Sequence, residues 1–318
     1  MTVLGFKEDT LETEVRSSVI SVKNVLYATD FSATSEAALP YATTICRKFG
    51  STLHVAHVVS DTSVLLTTGG VDYVAIADLY DDATTEAQNK LQKVTTPLCD
   101  TPHRTYVRHG RVWPNLSGII AENEIDLIVV GTHGRTGLGK LLMGSVAEDV
   151  LRHSPCPVLT VGPKVCGRAK LPEFVGTSRV LAPIDLELRH ILYATNFTPA
   201  SQRVAPIAVA LAEEFEARLT LLHVIEDYSN FEERPGPIES GIGQLEAVVP
   251  KDSRLSYRPE TVMGFGPAWE CIVNAAAERE ADLIVLGACP SDGTTHVPWS
   301  TVHRVVANAS CPVLTVRA

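Results

Sequence analysis

"DLIVVGTHGRTGLGKLLMGSVAEDVLRHSPCPVLTV", residues 126–161, decides how the rest of the chain is read. It opens with DLIVVG, a continuous apolar run of the kind found where a parallel strand is covered on both faces. A glycine-rich loop follows, then a helical stretch, SVAEDVLRHS, that stops at Pro155. CPVLTV closes it as a second strand. Strand, helix and strand in that order build a parallel sheet with helices on its faces.

The loop comes close to a P-loop and fails as one. Gly134 to Lys140 has the G-x-x-x-x-G-K spacing, but Leu141 stands where a Ser or Thr should hold magnesium. A P-loop also places its lysine at the start of the helix, whereas this helix opens at Ser145. A different design fits the spacing. Gly131-x2-Gly134 leaves the strand in a turn that needs conformational freedom or close backbone approach. After nine intervening residues, Gly144-Ser145 opens a helix whose unpaired N–H groups and positive dipole end suit a phosphate. Gly144 lets the phosphate approach, and Ser145 either caps the helix or donates its hydroxyl.

Outward from this stretch, the chain is a repeat. NVLYATDFSATSEAALPYATTICRKFGSTLHVAHVV (24–59) aligns without gaps on HILYATNFTPASQRVAPIAVALAEEFEARLTLLHVI (190–225). AENEIDLIVVG (121–131) matches AEREADLIVLG (277–287), and CPVLTV occurs at 156–161 and 311–316. Three blocks in one order make two copies of one domain, 24–162 and 190–318, after a tail of residues 1–23. A mixed Pro, Gly and charged linker, 163–189, joins them, and its RVLAP piece is expected to lie against a domain. In each copy strands alternate with helices. In the first, a helix is expected over 78–96, with 60–77 an irregular insertion. The fold class is α/β, and ligands in such sheets sit beyond the carboxyl ends of the strands where strand order switches. That points to the turn after VLYAT and the loop after DLIVVG.

With 318 residues, 45% hydrophobic, the chain can bury a core in each domain. No apolar run approaches a membrane span, and the first residues lack the order of a signal peptide. A formal net charge of −10 argues against general binding to nucleic acid or an anionic membrane. Seven scattered cysteines with no C-x-x-C pair suit reduced thiols in a cytoplasmic protein. In the first turn, Asp30 either caps the next helix or faces the crevice and accepts hydrogen bonds from a base or sugar. His133 is a nucleotide contact or a solvated loop residue, and Arg135 and Lys140 either neutralise phosphate or are simply solvated. His57 and His223, at matching positions, read as satisfied side chains rather than metal ligands, because no Cys or His lies at ligand spacing. Asp81-Asp82 reads as helix-start charge, not a catalytic dyad.

Gly131-x2-Gly134-x9-Gly144-Ser145, between DLIVVG and CPVLTV, resembles the nucleotide loop of the universal stress protein family. VLYATDFS resembles that family's first strand and turn, and LHVAHVV its second strand. The likeness covers nearly the whole chain, twice. It implies two tandem Rossmann-like domains of the adenine nucleotide alpha hydrolase type, each a five-stranded parallel sheet flanked by helices. It further implies a site for ATP, or ADP or AMP, with Mg2+ accompanying the nucleotide. Carried over, Ala28, Thr29 and Asp30 lie beside adenine and ribose, with Val58 at the end of the second strand. Gly131, His133 and Gly134 line the ribose and phosphate side, and Gly144, Ser145 and Val146 grip the phosphates. The family's first turn often has Pro where this chain has Ala28.

The second copy departs from that pattern. Asn196 replaces the acid, Pro290 stands for Gly134 and Trp299 for Gly144; Gly287 and Ser300 survive. Its middle, NFEERPGPIESGIGQ, is short, so its second helix is expected to be reduced. The expectation is one working site, in the first domain, acting as a nucleotide-dependent switch read by a protein partner. The alternatives are a slow ATPase or phosphotransfer enzyme, or a scaffold that binds no nucleotide. The family places the final strand at a sheet edge, so the copies are expected to pair through CPVLTV as an intrachain pseudo-dimer. Cys156 and Cys311 would then lie near the shared axis, and homodimerisation of whole chains is left open.

Overall fold

The computed structural model describes residues 21–60, 73–98, 100–132, 143–165, 186–226, 236–288 and 298–317. In the first half, the strands are β1 (Asn24–Ala28), β2 (Thr52–Val59), β3 (His103–His109), β4 (Leu127–Gly131) and β5 (Val158–Val161). Its helices are α1 (Ala33–Phe49), α2 (Tyr73–Thr95), α3 (Val112–Glu122) and α4 (Ser145–His153). The second half has β6 (His190–Thr195), β7 (Arg218–Ile225), β8 (Glu260–Phe265), β9 (Leu283–Ala288) and β10 (Val313–Arg317). Its helices are α5 (Pro199–Glu214), α6 (Gly236–Ala247), α7 (Ala268–Glu278) and α8 (Pro298–Asn308).

Local chemistry explains the boundaries. Ser32 caps α1, its hydroxyl accepting from the Ser35 N–H, and Gly50 ends the helix in the left-handed region at φ 67°. Each DLIV block opens with an aspartate that stitches two strands together at their amino ends. The Asp126 carboxylate accepts from the backbone N–H of Lys23 (2.7 Å) and Asn24 (2.9 Å). Asp282 does the same for Arg189 (2.9 Å) and His190 (3.0 Å). Helix α2 starts at Tyr73, ahead of the expected residue 78, so Asp81 and Asp82 are exposed charges within the helix and not at its start. The matching helix α6 is reduced, 12 residues against 23. Most of the expected insertion, residues 61–72, and the RVLAP piece lie outside the described residues.

The ten strands form one sheet in the order β3-β2-β1-β4-β5-β10-β9-β6-β7-β8. Within each half all pairings are parallel, and the order switches between β1 and β4 and between β6 and β9. The halves meet where β5 and β10 run antiparallel, Leu159 opposite Leu314. The expected pairing of the CPVLTV strands is therefore present within one chain. One apolar core runs beneath α1, α2, α5 and α6 across both halves. The other face carries two separate cores, under α3 and α4 and under α7 and α8.

Side chains reinforce the junction. The Thr160 hydroxyl donates to the Val313 carbonyl (3.1 Å), and Lys164 Nζ to Asn308 Oδ1 (3.0 Å). Arg317 donates to the Arg152 carbonyl in the last turn of α4. At the position matching Arg317, Gly162 allows the Val306 carbonyl to approach: a Cβ there would sit 2.6 Å from that oxygen. The antiparallel register also corrects one expectation. Cys156 and Cys311 lie on opposite sides of the Leu159–Leu314 centre, three residues from it in each chain direction. At about 3.3 Å per residue they are roughly 20 Å apart along the strands, not together at the axis. Both are free thiols.

Candidate nucleotide site

The crevice at the first switch point is built by the turn after β1, the end of β4 and the start of α4. The first of these is a tight hydrogen-bonded turn. Buried Thr29 accepts the Phe31 N–H on its hydroxyl (3.0 Å), and Asp30 Oδ1 accepts the Ser32 N–H (3.0 Å). The Tyr27 hydroxyl donates to the Ser35 carbonyl (2.7 Å), anchoring α1 to the strand. Burial pushes the Tyr27 phenol above its ordinary pKa, so it stays a donor. Asp30 is thus half of an Asx turn, and the helix cap belongs to Ser32.

Within this turn Phe31 sits at φ 61°, in the left-handed region that a bulky residue enters only under constraint. Its ring packs on His57 with centroids 4.5 Å apart, and the Lys90 ammonium lies 5.7 Å from its centroid. His57 Nδ1 is 2.8 Å from the Thr29 carbonyl, an acceptor only, so the proton is on Nδ1. The second copy repeats the arrangement, with Phe197 at φ 60°, its ring 4.3 Å from His223, and His223 Nδ1 2.8 Å from the Thr195 carbonyl. Among the described residues no cluster of three His, Cys, Asp or Glu could hold a metal.

Gly131 ends β4, and its reason for being glycine is steric. A Cβ there would lie 2.7 Å from the Thr34 carbonyl and the Ser35 nitrogen, the backbone that begins α1. Its φ is not positive, so close approach rather than conformational freedom is what it supplies. Gly287, its counterpart, faces Ser201 at the start of α5 at 3.0 Å. This glycine is therefore required by helix packing in both copies.

From Gly131 the chain passes through Thr132, whose carbonyl accepts the Gly144 N–H at 2.7 Å and so closes the intervening loop. Gly144 is the N-cap of α4, in extended conformation with no side-chain cap bond; Ser145 is the first helical residue and exposed. Ser145 is therefore not the cap. Ala28, Val58 and Val146 belong to one apolar cluster, which Val112, Trp113 and Met143 also join. The structure thus gathers Ala28, Thr29, Asp30, Val58, Gly131, Gly144, Ser145 and Val146 around the carboxyl ends of β1, β2 and β4. His133 and Gly134, like Arg135, Lys140 and Leu141, lie outside the described residues.

Phe31, Trp113 and Met143 were missed by the sequence reading. A signal existed for the first two: Phe31 aligns with Phe197, and Trp113 holds the same place at the start of α3 that Trp269 holds in α7. Met143 has no counterpart signal, since the matching residue is Pro298.

The profile of the universal stress protein family matches residues 21–162 and again residues 187–317. The chain belongs to the universal stress protein family. A universal stress protein of Methanocaldococcus jannaschii is 30% identical over 166 residues, spanning 45% of this chain and 96% of its own length. One from Mycolicibacterium smegmatis is 24% identical over 314 residues, 92% of this chain and 96% of its own. The solved universal stress protein of Archaeoglobus fulgidus superposes with a TM-score of 0.64 at 18% identity, covering 94% of this chain and 99% of that one. That likeness extends the shared fold to the tandem arrangement. No described helix is long and apolar enough to cross a membrane.

The two universal stress domains differ at one decisive place. Ser145 aligns with Ser300, and α4 begins at that serine with Gly144 as its cap. Helix α8 begins two residues earlier, at Pro298, so Trp299 is inside the helix where Gly144 stands outside it. The β1 turn, by contrast, is the same in both. Asn196 Oδ1 accepts the Thr198 N–H (3.3 Å) as Asp30 accepts that of Ser32. A carboxamide oxygen folds the turn as a carboxylate does; the charge at Asp30 is extra to that task.

Proposed function

We propose that the first domain binds ATP, with Mg2+ accompanying the phosphates, and that the second domain is empty. In this reading Asp30 and Thr29 meet the ribose, and Ala28 and Val58 meet the adenine. Gly131 borders the sugar with His133 and Gly134; Gly144, its own N–H held by the Thr132 carbonyl, lets the phosphates approach, and Ser145 and Val146 present N–H groups to them. The observation that carries it is the start of α4. Its first N–H groups have no side-chain cap and open on the switch-point crevice, where an anion is stabilised by the N–H groups and the helix dipole. Backbone donors bind phosphate without any paired carboxylates, which suits a protein that holds nucleotide and changes its surface. A protein partner in the cytosol would read that surface.

Protein denatured directly after purification should release an adenine nucleotide identifiable by mass spectrometry, or else, once stripped, should bind MgATP saturably. Stripped protein that binds none of ATP, ADP and AMP overturns the proposal. Whole chains that dimerise must use another surface than β5 and β10, whose edges are already paired to each other.

A further inference from the structure

A cavity of about 200 Å³ lies between the two domains at the amino ends of the strands, the opposite edge of the sheet from the nucleotide crevice. Interiors are close-packed, and voids larger than a water molecule are few in any domain. This one stands on the pseudo-twofold axis, and its walls come in matched pairs. Ile45 of α1 faces in with its counterpart Leu211 of α5, and Leu159 of β5 with Leu314 of β10. Phe49 and Phe215 meet edge to face across the axis, centroids 6.2 Å apart. Every one of these positions is apolar in both copies, although the glycine loops of the two copies have diverged.

Polar groups at the margin are turned to the protein. The Thr44 hydroxyl accepts the Leu186 N–H (3.2 Å), and the Asp126 carboxylate is taken by the Lys23 and Asn24 N–H groups. The wall residues Ile45, Leu159, Leu211 and Leu314 are buried, so the body of the lining is apolar, with Ser21, Tyr41, Thr44 and Asp126 contributing the polar groups. A cavity of about 150 Å³ lined by such residues stays free of water and takes up benzene.

We infer that this axial cavity is a binding site for a small uncharged aromatic or alicyclic molecule of one or two rings. With the Asp126 carboxylate and the Thr44 hydroxyl already bonded to backbone N–H groups, it selects against nucleotides, amino acids and sugars, which would lose their hydration without replacement. Its ligand touches both domains, so it binds the docked pair and strengthens their docking.

Full-length protein titrated with indole, and separately with benzene, should show saturable binding near one per chain. Its thermal midpoint should rise with ligand concentration. Leu211→Trp and Leu159→Phe each fill the void from a different side. Whichever of them keeps the wild-type circular dichroism should bind indole at least tenfold more weakly, while MgATP binding is unchanged. Wild-type protein that shows no saturable binding of either probe overturns the inference. Unchanged indole affinity in a folded filling variant overturns it equally, by placing the probe elsewhere. Failure of MgATP binding in the same samples speaks only to the nucleotide site.

Discussion

The turn after β1 and the turn after β6 share the hydrogen bonds that fold them, the same left-handed phenylalanine and the same histidine beneath it. Helices α4 and α8, which complete the two crevices, do not begin at the same residue. The difference teaches that the fold and the ligand site make separate demands on the same loops. Tyr27 and Tyr193, Thr29 and Thr195, Gly131 and Gly287 recur because packing needs them: each glycine admits the start of a helix, and each tyrosine ties that helix to its strand. Gly144 answers no packing demand visible in the second copy, which replaces it with tryptophan and starts the helix sooner. What one copy keeps and the other discards is the part assigned to the ligand.

The largest expected effect sharpens that contrast at the helix start. Gly144→Val should weaken MgATP binding roughly ten- to hundredfold for each charge-assisted hydrogen bond lost, at about 1.5–3 kcal/mol each. Lys140→Ala should do far less. Trp299→Gly alone should open no second site, since Pro290 still lacks a donor. Titration of the three variants decides it; a Lys140→Ala protein that has lost binding beside a competent Gly144→Val protein would break the comparison.

Next in size are the paired glycines. Gly131→Ala drives a Cβ to 2.7 Å from backbone atoms and should destabilise by about 1–3 kcal/mol in urea unfolding. Gly287→Ala, whose nearest neighbour is at 3.0 Å, should cost less. Equal costs, or none, would remove the steric account of why both copies keep this glycine.

A smaller change probes the acid. Asp30→Asn makes the first turn chemically like the second, so stability should move by no more than about 0.5 kcal/mol, as for a surface substitution. Nucleotide affinity should fall by less than tenfold, because an amide can still bond a ribose. A large loss of stability would mean that the turn depends on the charge after all.

The smallest effect is one of pH. Burial holds His54 in the first copy and His190 in the second below the ordinary histidine pKa of 6.5; the nearby Arg104 and Arg218 add to it. A depressed histidine disfavours its charged form in the fold, so this contribution to stability is present above about pH 6.5 and is lost progressively as pH falls below that value and through the lower folded pKa. His54→Gln with His190→Gln should flatten the stability difference between about pH 7.5 and pH 5.5. An unchanged difference would place the titrating groups elsewhere.

Much of this was legible in the chain before any coordinates. The repeat, the five strands per copy, the opening of α4 at Ser145 and the pairing of the CPVLTV strands all follow from patterns that are local or duplicated. What escaped depends on contacts between distant segments. The need for glycine at position 131 lies in α1, almost a hundred residues earlier, and spacing alone read it as belonging to the loop. The left-handed Phe31 is held by hydrogen bonds that no periodicity announces, though its copy Phe197 hinted at a shared role. Asp81 and Asp82 were misplaced because the helix begins at Tyr73, five residues ahead of the expected residue 78. The separation of Cys156 and Cys311 follows from antiparallel register, which pairing by itself does not reveal.

The proposed function gives the first domain a filled crevice and the second an empty one. Calorimetric titration of stripped, full-length protein with MgATP measures that directly. A stoichiometry near one per chain, with that single site weakened at least tenfold by Gly144→Val, is the result this asymmetry predicts. A stoichiometry near two that falls only to one when Gly144 is replaced would contradict it, since the second copy would then bind nucleotide at a helix that begins with Pro298 and Trp299.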